Sequence, residues 1–307
     1  MKTKLWSALI ALWIVWGSTY LAIRFAVETI PPFLHAALRF LVSGAILVIW
    51  RRMAGEPLPT QSNWKAAAIV GTLLLVGGNG FVSLAEQTVP SGIAALMITT
   101  SPFWLALFEA LRAGGTKPSG QAIVGLLLGF SGVFVLIGPG EIGGEQHAFN
   151  TFGVVLLLIA PILWSLGSIY SRGADMPKST LMSTGMQMLT GALALFVVSV
   201  AAGELRGFNP GGVSMRSWWG LIYLITFGSL VGFVAYGWLI QNAPVSLTST
   251  YAYVNPVVAV ILGWLFAGEE LNARVAAASI IIISAVVMIN FSKNSRSKLE
   301  LIPEEIE

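Results

Sequence analysis

Aromatic and uncharged polar side chains recur at helical spacing within long apolar stretches of this chain. Trp13, Trp16 and Tyr20 fall on one face of a helix, and Asn79 and Ser83 lie one turn apart on another. Lipid offers no hydrogen bonds, so such groups are expected to face other helices or a water-filled cavity. Rings, hydroxyls and amides without a buried charge favour a neutral or zwitterionic solute. Taken singly, each residue has a structural alternative, because a membrane Ser often bonds its own helix and a Trp often anchors at an interface.

Two charged residues stand out against this apolar background. Arg39 falls inside one apolar stretch, and Glu86 falls at the end of another. Ionisable groups within a membrane often mark gates or proton relays. The two residues could form an outer gate, Glu86 could carry a coupling proton, or the two could form a structural ion pair. We favour the ion pair, because both lie near the predicted interface, where a long charged side chain can reach water.

Two prolines are predicted to interrupt apolar helices. Pro102 and Pro256 cannot donate a backbone hydrogen bond, and each frees the carbonyl four residues earlier, at Ile98 and Ala252. Such breaks expose backbone acceptors and let half-helices tilt. A static kink is the equal alternative, since proline is tolerated in membrane helices generally.

The sequence lacks the residue combinations that enzymes need. It contains no cysteine, and its two histidines, His35 and His147, lie far apart in different loops, so a zinc site or His-based catalysis is poorly supported. There is no phosphate loop of the Gly-x-x-x-x-Gly-Lys-Ser/Thr type. We expect no enzyme activity, no cofactor and no metal.

Composition places the chain in a membrane. Hydrophobic residues make up 56% and charged residues 10%, with a mean hydropathy of +0.80, against about 25% charged residues in soluble domains. Apolar stretches of a length that crosses a bilayer predict an all-α protein with ten transmembrane helices. They are 5–23, 33–50, 66–85, 87–108, 118–140, 148–171, 179–203, 275–292 and two within 217–268, which Gln241–Pro244 divides.

The basic residues predict how the chain is oriented. With the N-terminus inside, the inner side collects 12 of the 17 Lys and Arg residues. This bias follows the positive-inside rule and predicts that both termini are cytoplasmic. The net charge of +3 is therefore explained by the basic residues on the cytoplasmic side, and no nucleic-acid partner is expected.

The chain also repeats itself. An offset of 154 places Trp64 on Trp218, Gly78 on Gly232 and Pro102 on Pro256, and near the front an offset of 148 places Trp16 on Trp164. The polar stripes return as well, with Ser168 after Trp164, and with Thr248, Tyr251 and Asn255 in the ninth span. Each copy holds five predicted spans, and an odd number forces the second copy to lie upside down relative to the first. We therefore predict repeats at 5–138 and 151–291, followed by a cytoplasmic tail at 292–307.

Several motifs, in this order, resemble the EamA family of the drug/metabolite transporter superfamily. They are Trp16-Gly17-Ser18-Thr19-Tyr20, Pro31-Pro32, Arg39-Phe40, Gly78-Asn79-Gly80, Ala85-Glu86-Gln87, Pro90-Ser91-Gly92-Ile93-Ala94-Ala95 and Tyr251-Ala252-Tyr253-Val254-Asn255-Pro256-Val257. The resemblance implies two inverted five-helix repeats and export of amino acids or other small metabolites from a bacterial cytoplasm. It also implies a cavity enclosed by helices one, three, four, six, eight and nine. The substrate-binding candidates that it carries over are Trp16, Tyr20, Asn79, Ser83, Thr100, Trp164, Ser168, Tyr236, Tyr251 and Asn255.

The expected function is thus secondary transport across the bacterial inner membrane, by alternating access and as a monomer or homodimer. The expected substrate is a small neutral or zwitterionic metabolite, with proton coupling through Glu86 as one option and Arg39, Pro102 and Pro256 as gating residues. No Lys or Arg is expected at mid-depth in helices seven to ten, which argues against a sugar phosphate. The alternatives are a multidrug or organic-cation exporter, which a carboxylate in helix one would support, and a membrane-embedded enzyme or lipid-handling protein. Helix one has no carboxylate.

Overall fold

The computed structural model of the protein describes residues 2–112, 119–137, 150–242 and 250–299. Within those residues all regular structure is helical. The long helices, labelled here in chain order, are α1 Lys2–Ala26, α2 Pro32–Met53, α3 Gln61–Ala85, α4 Ser91–Leu111, α5 Gly120–Ile137, α6 Thr151–Ser171, α7 Thr180–Ala201, α8 from Met215–Tyr223 through Leu224–Val231 to Gly232–Asn242, α9 Tyr251–Ala267 and α10 Ala273–Leu299. A short 3₁₀ turn, Pro210–Gly212, precedes α8.

Seven of these helices are long and apolar enough to cross a membrane. They are α1, α2, α3, α4, α6, α7 and the part of α8 at Met215–Tyr236. Shorter apolar stretches lie in α5, α9 and α10, at Ile123–Leu136, Val254–Ala267 and Ala273–Met288. An all-helical membrane protein is therefore confirmed, and ten spans remain a prediction.

The helices pack in pairs from opposite halves of the chain. The most extensive contacts join α2 to α7 and α5 to α10, and α1 packs against both α8 and α9. Small residues allow these close approaches, because a Cβ atom on Gly220 of α8 would lie 2.8 Å from the Ala22 carbonyl of α1. The first half and the second half thus share one helical bundle.

Both α3 and α8 contain a π-helical segment. These segments are Thr72–Gly80 and Leu224–Val231. The offset of 154 carries the first onto positions 226–234, so the two segments overlap at equivalent places in the two copies. π-Helical turns are rare and often occur at functional sites.

The prolines act differently in the two halves. At Pro102 the helix α4 is interrupted at Thr99 and Thr100, and the freed carbonyl of Ile98 accepts a hydrogen bond from the Ser101 hydroxyl at 2.7 Å. Pro256 lies inside α9, which continues through it. Only the first proline coincides with a break in the helix.

Helices that start at proline depend on other parts of the chain for their caps. α3, α6, α7 and α8 begin after Thr60, Asn150, Ser179 and Ser214, whose side chains accept hydrogen bonds from the first turn. α2 and α4 begin after Pro31 and Pro90 and have no such side-chain cap. Their free N–H groups must find acceptors elsewhere.

Two distant carboxylates supply those acceptors. Glu204, which follows α7, accepts from the amides of Phe33 and Leu34 at 3.1 and 2.9 Å. Glu269, which follows α9, accepts from the amides of Ser91 and Gly92 at 2.6 and 2.9 Å. Each carboxylate therefore ties the end of one helix to the start of another at the end of the bundle that holds Glu86, called here the Glu86 end.

The same tripeptide, Ala-Gly-Glu, forms both of these turns and a third one. It occurs at 54–56, 202–204 and 267–269, and its glycines Gly55, Gly203 and Gly268 have φ of 86°, 75° and 66°. Glycine is favoured there, since other residues adopt this left-handed conformation at a cost. In the first copy Glu56 pairs with Arg51 instead of capping a second helix.

Parts of the predicted organisation lie outside the described residues. Thr248 is one, as are most of the loop between the copies and residues 300–307. Within the segment predicted as a tail, α10 continues as a helix to Leu299.

Candidate functional site

An aromatic cluster from three helices surrounds Trp16 of α1. The ring centroid of Trp16 lies 5.2 Å from that of Tyr236 on α8 and 5.2 Å from that of Tyr251 on α9. The rings of Tyr236 and Tyr251 are 5.8 Å apart, and Phe233 lies 5.5 Å from Trp16. The structure thus brings together three of the predicted site residues and one that the sequence did not single out.

Glycines of α8 fix the position of the Trp16 ring. Its Nε1 donates a hydrogen bond to the Gly228 carbonyl at 3.2 Å, within the π segment of α8. At Gly232, one helical turn further on, a Cβ atom would collide with the same indole nitrogen. The edge of the indole that carries Nε1 therefore lies against α8 at two glycines.

Asn255 fastens α9 to α1. In the amide orientation that satisfies its surroundings, its Nδ2 donates to the carbonyls of Trp13 and Tyr251, both at 3.2 Å. Trp13 also donates from Nε1 to the Thr250 hydroxyl at 2.9 Å. Asn255 is 8% exposed, and its two hydrogen bonds join the helices that carry Trp16 and Tyr251.

Trp164 of α6 packs against α3, the helix that carries the predicted residues Asn79 and Ser83. A Cβ atom on Gly78 of α3 would lie 2.7 Å from Cε3 of Trp164, so this indole also covers a glycine. The offsets of 148 and 154 carry Trp16 onto Trp164 and Gly78 onto Gly232. The contact of α1 with α8 in one half of the bundle is therefore repeated as the contact of α6 with α3 in the other.

Three hydroxyl groups of this second region bond within their own helices. Ser83 donates to the Asn79 carbonyl at 2.9 Å, Ser168 to the Trp164 carbonyl at 2.7 Å, and Thr100 to the Met97 carbonyl at 2.8 Å. This is the structural alternative for such residues. The amide side chain of Asn79 makes no hydrogen bond within the described part of the chain.

The neighbourhoods of the two tryptophans differ in character. Shifting Phe233, Tyr236 and Tyr251 back by 154 gives Asn79, Val82 and Met97. The region of Trp16 is consequently rich in rings, whereas the equivalent positions of the first copy hold an amide and aliphatic side chains. Phe233 would have been found from the sequence by asking which residue the offset places on Asn79.

The predicted ion pair between Arg39 and Glu86 is wrong for this conformation. Arg39 is 5% exposed and donates from Nε to the Ser229 hydroxyl of α8 at 3.0 Å, with its guanidinium 4.7 Å from the centre of the Phe40 ring. Glu86 is fully buried, and neither of its carboxylate oxygens has a hydrogen-bond partner. Ser229 on α8, which helical spacing in the sequence does not single out, accepts the hydrogen bond from the guanidinium instead.

Tyr20 lies between the aromatic cluster and Glu86. It packs, partly buried, against the main hydrophobic core and is an electrostatic neighbour of Glu86. Its hydroxyl also interacts electrostatically with that of Tyr251. This residue therefore connects the two regions of polar groups on α1.

Within the described residues, no group of three or more His, Cys, Asp or Glu side chains is placed to hold a metal ion. His35 is fully buried, and its Nδ1 lies 2.9 Å from the Pro32 carbonyl. The uncharged rings and amides around Trp16 and Trp164 can instead bind an organic solute through stacking and hydrogen bonds.

Comparison with known proteins shows the family and the fold of the chain. A sequence model of the EamA-like transporter family matches residues 4–138 and 151–291. The uncharacterized inner membrane transporter YedA of Escherichia coli K12 is 39% identical over 94% of this chain and 91% of its own. A chloroplastic WAT1-related protein of Arabidopsis thaliana is 25% identical over 94% of this chain and 70% of its own. One protein crystal structure superposes with a TM-score of 0.64 at 20% identity, over 97% of this chain and 99% of that one.

Proposed function

Because the chain belongs to the EamA-like transporter family and is a membrane transporter, we propose that it exports amino acids or similar neutral or zwitterionic metabolites across the bacterial inner membrane. The observation that carries this proposal is the pair of tryptophans on glycine, Trp16 on Gly232 and Trp164 on Gly78. Among the described residues, no guanidinium lies over either indole ring and neither indole nitrogen bonds to a charged side chain. Substrates with a net charge would lack a counter-ion there.

The difference between the two tryptophan regions favours amphipathic substrates. Trp16, Tyr236 and Tyr251 offer rings with hydroxyl groups at their edges, which suit an apolar or aromatic side chain. Asn79 offers an amide free of hydrogen bonds, which can both donate to a carboxylate and accept from an ammonium group. An amino acid with a large apolar side chain matches both regions.

The repeated contacts support alternating access. In each Trp–Gly contact, the tryptophan of one copy packs on a glycine of the other copy. Together with the two π segments at equivalent positions, these contacts support two inverted repeats, 5–138 and 151–291, with ten spans. Inverted repeats that rock about a central site are a common design of secondary transporters. The break in α4 beside Pro102 and the proline inside α9, Pro256, provide places where half-helices can tilt. On this proposal both termini are cytoplasmic, and the Glu86 end faces outward.

Counterflow in proteoliposomes tests the substrate class. Vesicles are preloaded with a mixture of amino acids, and labelled Trp, Phe, Met, Thr and Ala are offered outside in turn. We expect accumulation of Trp, Phe or Met that disappears without the internal pool. No accumulation of any label by folded protein would overturn the amino-acid assignment.

Two variants test the site itself. Trp16→Ala and Trp164→Ala should each lower counterflow about fivefold or more, because each loses ring contacts that contribute about 1 kcal/mol to binding. Trp219→Ala is the matched control, since this tryptophan is 64% exposed on α8. Wild-type counterflow by both site variants would refute the assignment.

One observation favours a second substrate class. Three aromatic rings lie within 5.5 Å of the Trp16 ring, and clusters of rings attract quaternary ammonium groups. The same vesicles loaded with tetraethylammonium distinguish the two classes. Exchange of the labelled cation without exchange of any amino acid would make the protein an organic-cation exporter.

A further inference from the structure

Glu86 is buried in a way that an ionised carboxylate does not tolerate. Its side chain is fully buried, and neither of its oxygens has a partner. An ionised carboxylate without a hydrogen bond or a paired cation costs several kcal/mol to bury. A proton on Glu86 removes that charge, so burial without a partner favours the protonated form of this residue.

The groups that face Glu86 come from three other parts of the fold. Tyr20 and Arg24 approach from α1, Arg39 approaches from α2, and Glu269 approaches from the turn after α9. His35, one turn before Arg39 on α2, is buried at the same end. From α4 and α6, which also pack here, no titratable group among the described residues acts on it.

Both arginines donate hydrogen bonds to groups other than the Glu86 carboxylate. Arg24 donates from Nη1 to the main-chain carbonyls of Glu86 and Gln87, at 2.5 and 3.1 Å. Arg39 donates to Ser229. If Glu86 loses its proton, its negative charge attracts a guanidinium. Arg39 can move toward it by breaking only its hydrogen bond to the neutral Ser229 hydroxyl.

That hydroxyl belongs to the π segment that also holds Trp16. Ser229 follows Gly228 directly, and the Gly228 carbonyl is the acceptor of the Trp16 indole. A change at Ser229 therefore reaches Trp16 through a single peptide unit. Packed elements with two discrete arrangements transmit such local changes.

We propose that Glu86 is a proton-binding site of the transport cycle and that Arg39 communicates its charge state to Trp16 through Ser229 and Gly228. In this step the O–H bond of the Glu86 carboxyl group breaks, the proton passes to water at the Glu86 end, and the carboxylate takes the Arg39 guanidinium as its counter-ion. Arg39 then releases Ser229, and the π segment of α8 is free to shift under the indole. The proposal rests on the proposed transport function for its role in the cycle, but proton binding itself is measurable without a substrate.

Infrared difference spectroscopy on the purified full-length protein tests proton binding. Between about pH 5 and about pH 9, we expect the wild type to lose a protonated-carboxyl band. Glu86→Asp should shift this band and Glu86→Gln should abolish it. Glu28→Gln, which changes a carboxylate paired with Arg216 at 3.2 Å, should retain it. Absence of the band from the wild type would overturn the proposal even if the Glu86 variants do not fold, and so would its persistence in folded Glu86→Gln.

Tryptophan fluorescence tests the link to Trp16. We expect the wild-type emission to change with pH over the same range as the infrared band, and this change to be lost in both Glu86→Gln and Trp16→Phe. Ser229→Ala should uncouple the emission from pH while the carboxyl band still titrates. An unchanged emission transition in Trp16→Phe or in Ser229→Ala would overturn the link. Because neither measurement uses a substrate, their failure is distinguishable from failure of amino-acid counterflow.

Discussion

Replacing Glu269 by alanine should loosen the start of α4. The carboxylate of Glu269 accepts three hydrogen bonds there, from the amide and hydroxyl of Ser91 at 2.6 and 2.7 Å and from the amide of Gly92 at 2.9 Å. α4 has no side-chain cap of its own, because it begins after Pro90. Alanine leaves the first-turn N–H groups without an acceptor from the protein.

The expected cost follows from these three contacts. A hydrogen bond to a charged group contributes about 1.5–3 kcal/mol, but Glu269 is partly exposed, so water replaces part of each bond. At about 1 kcal/mol per bond, Glu269→Ala should lower the free energy of unfolding by about 2–4 kcal/mol. Glu269→Gln keeps one carbonyl acceptor and loses the charge, and should cost about half as much.

Reversible unfolding in mixed micelles measures both values. Glu270→Ala is the matched control, since its neighbouring carboxylate is exposed, and it should lie within about 0.5 kcal/mol of the wild type. Equal stability of Glu269→Ala and Glu270→Ala would refute the capping argument. A larger loss in the Gln variant than in the Ala variant would contradict the count of acceptors.

Four further substitutions test neighbouring features by the same unfolding assay or by counterflow. Glu204→Ala should lower the free energy of unfolding by about 2–4 kcal/mol, because Glu204 caps α2 as Glu269 caps α4. Glu56→Ala should lower it by less than about 1 kcal/mol, since this substitution breaks an ion pair near the surface. Equal losses in the two variants would contradict this contrast. Gly268→Ala should cost about 1–2 kcal/mol for placing a side chain in a left-handed conformation, and no loss would mean that the turn relaxes. Gly232→Val should displace the indole of Trp16 and abolish counterflow with the protein still folded, and normal transport would show that this ring position is dispensable.

The sequence predicts the apolar helices well, because their length and polarity are set by the bilayer. The stretch 33–50 predicts α2, which runs from Pro32 to Met53, and the stretch 148–171 predicts α6 at Thr151–Ser171. The ends differ because charged residues such as Arg51 and Arg52 stay helical beyond the apolar part. α10 likewise continues past Ser292 to Leu299.

Partners between helices were harder to predict, because they depend on how each helix is rotated about its axis. A sequence with two buried charges, Arg39 and Glu86, favours an ion pair, yet the guanidinium bonds Ser229 on a helix far along the chain. The π segments also change the rotation within α3 and α8, and helical spacing alone does not reveal them. The equivalence of the two Trp–Gly contacts can be read from the sequence, since the offsets alone relate Trp16 to Trp164 and Gly78 to Gly232.

The two ends of the bundle are held together differently, and this bears on which face opens. At the Glu86 end, Glu204 and Glu269 of the second half tie down the starts of α2 and α4 in the first half. At the other end, the equivalent Glu56 pairs with Arg51 of its own helix, and α7 is capped by its own Ser179. Opening the Glu86 end must break these capping contacts, whereas at the other end the halves are joined by the Arg172–Glu109 ion pair at 2.7 Å and by the Asn63 amide, which donates to the Asp175 carbonyl at 2.9 Å. The repeats therefore hold the two faces of the proposed carrier by different kinds of contact, and a proton site at the Glu86 end lies where a change of charge can alter the caps of α2 and α4.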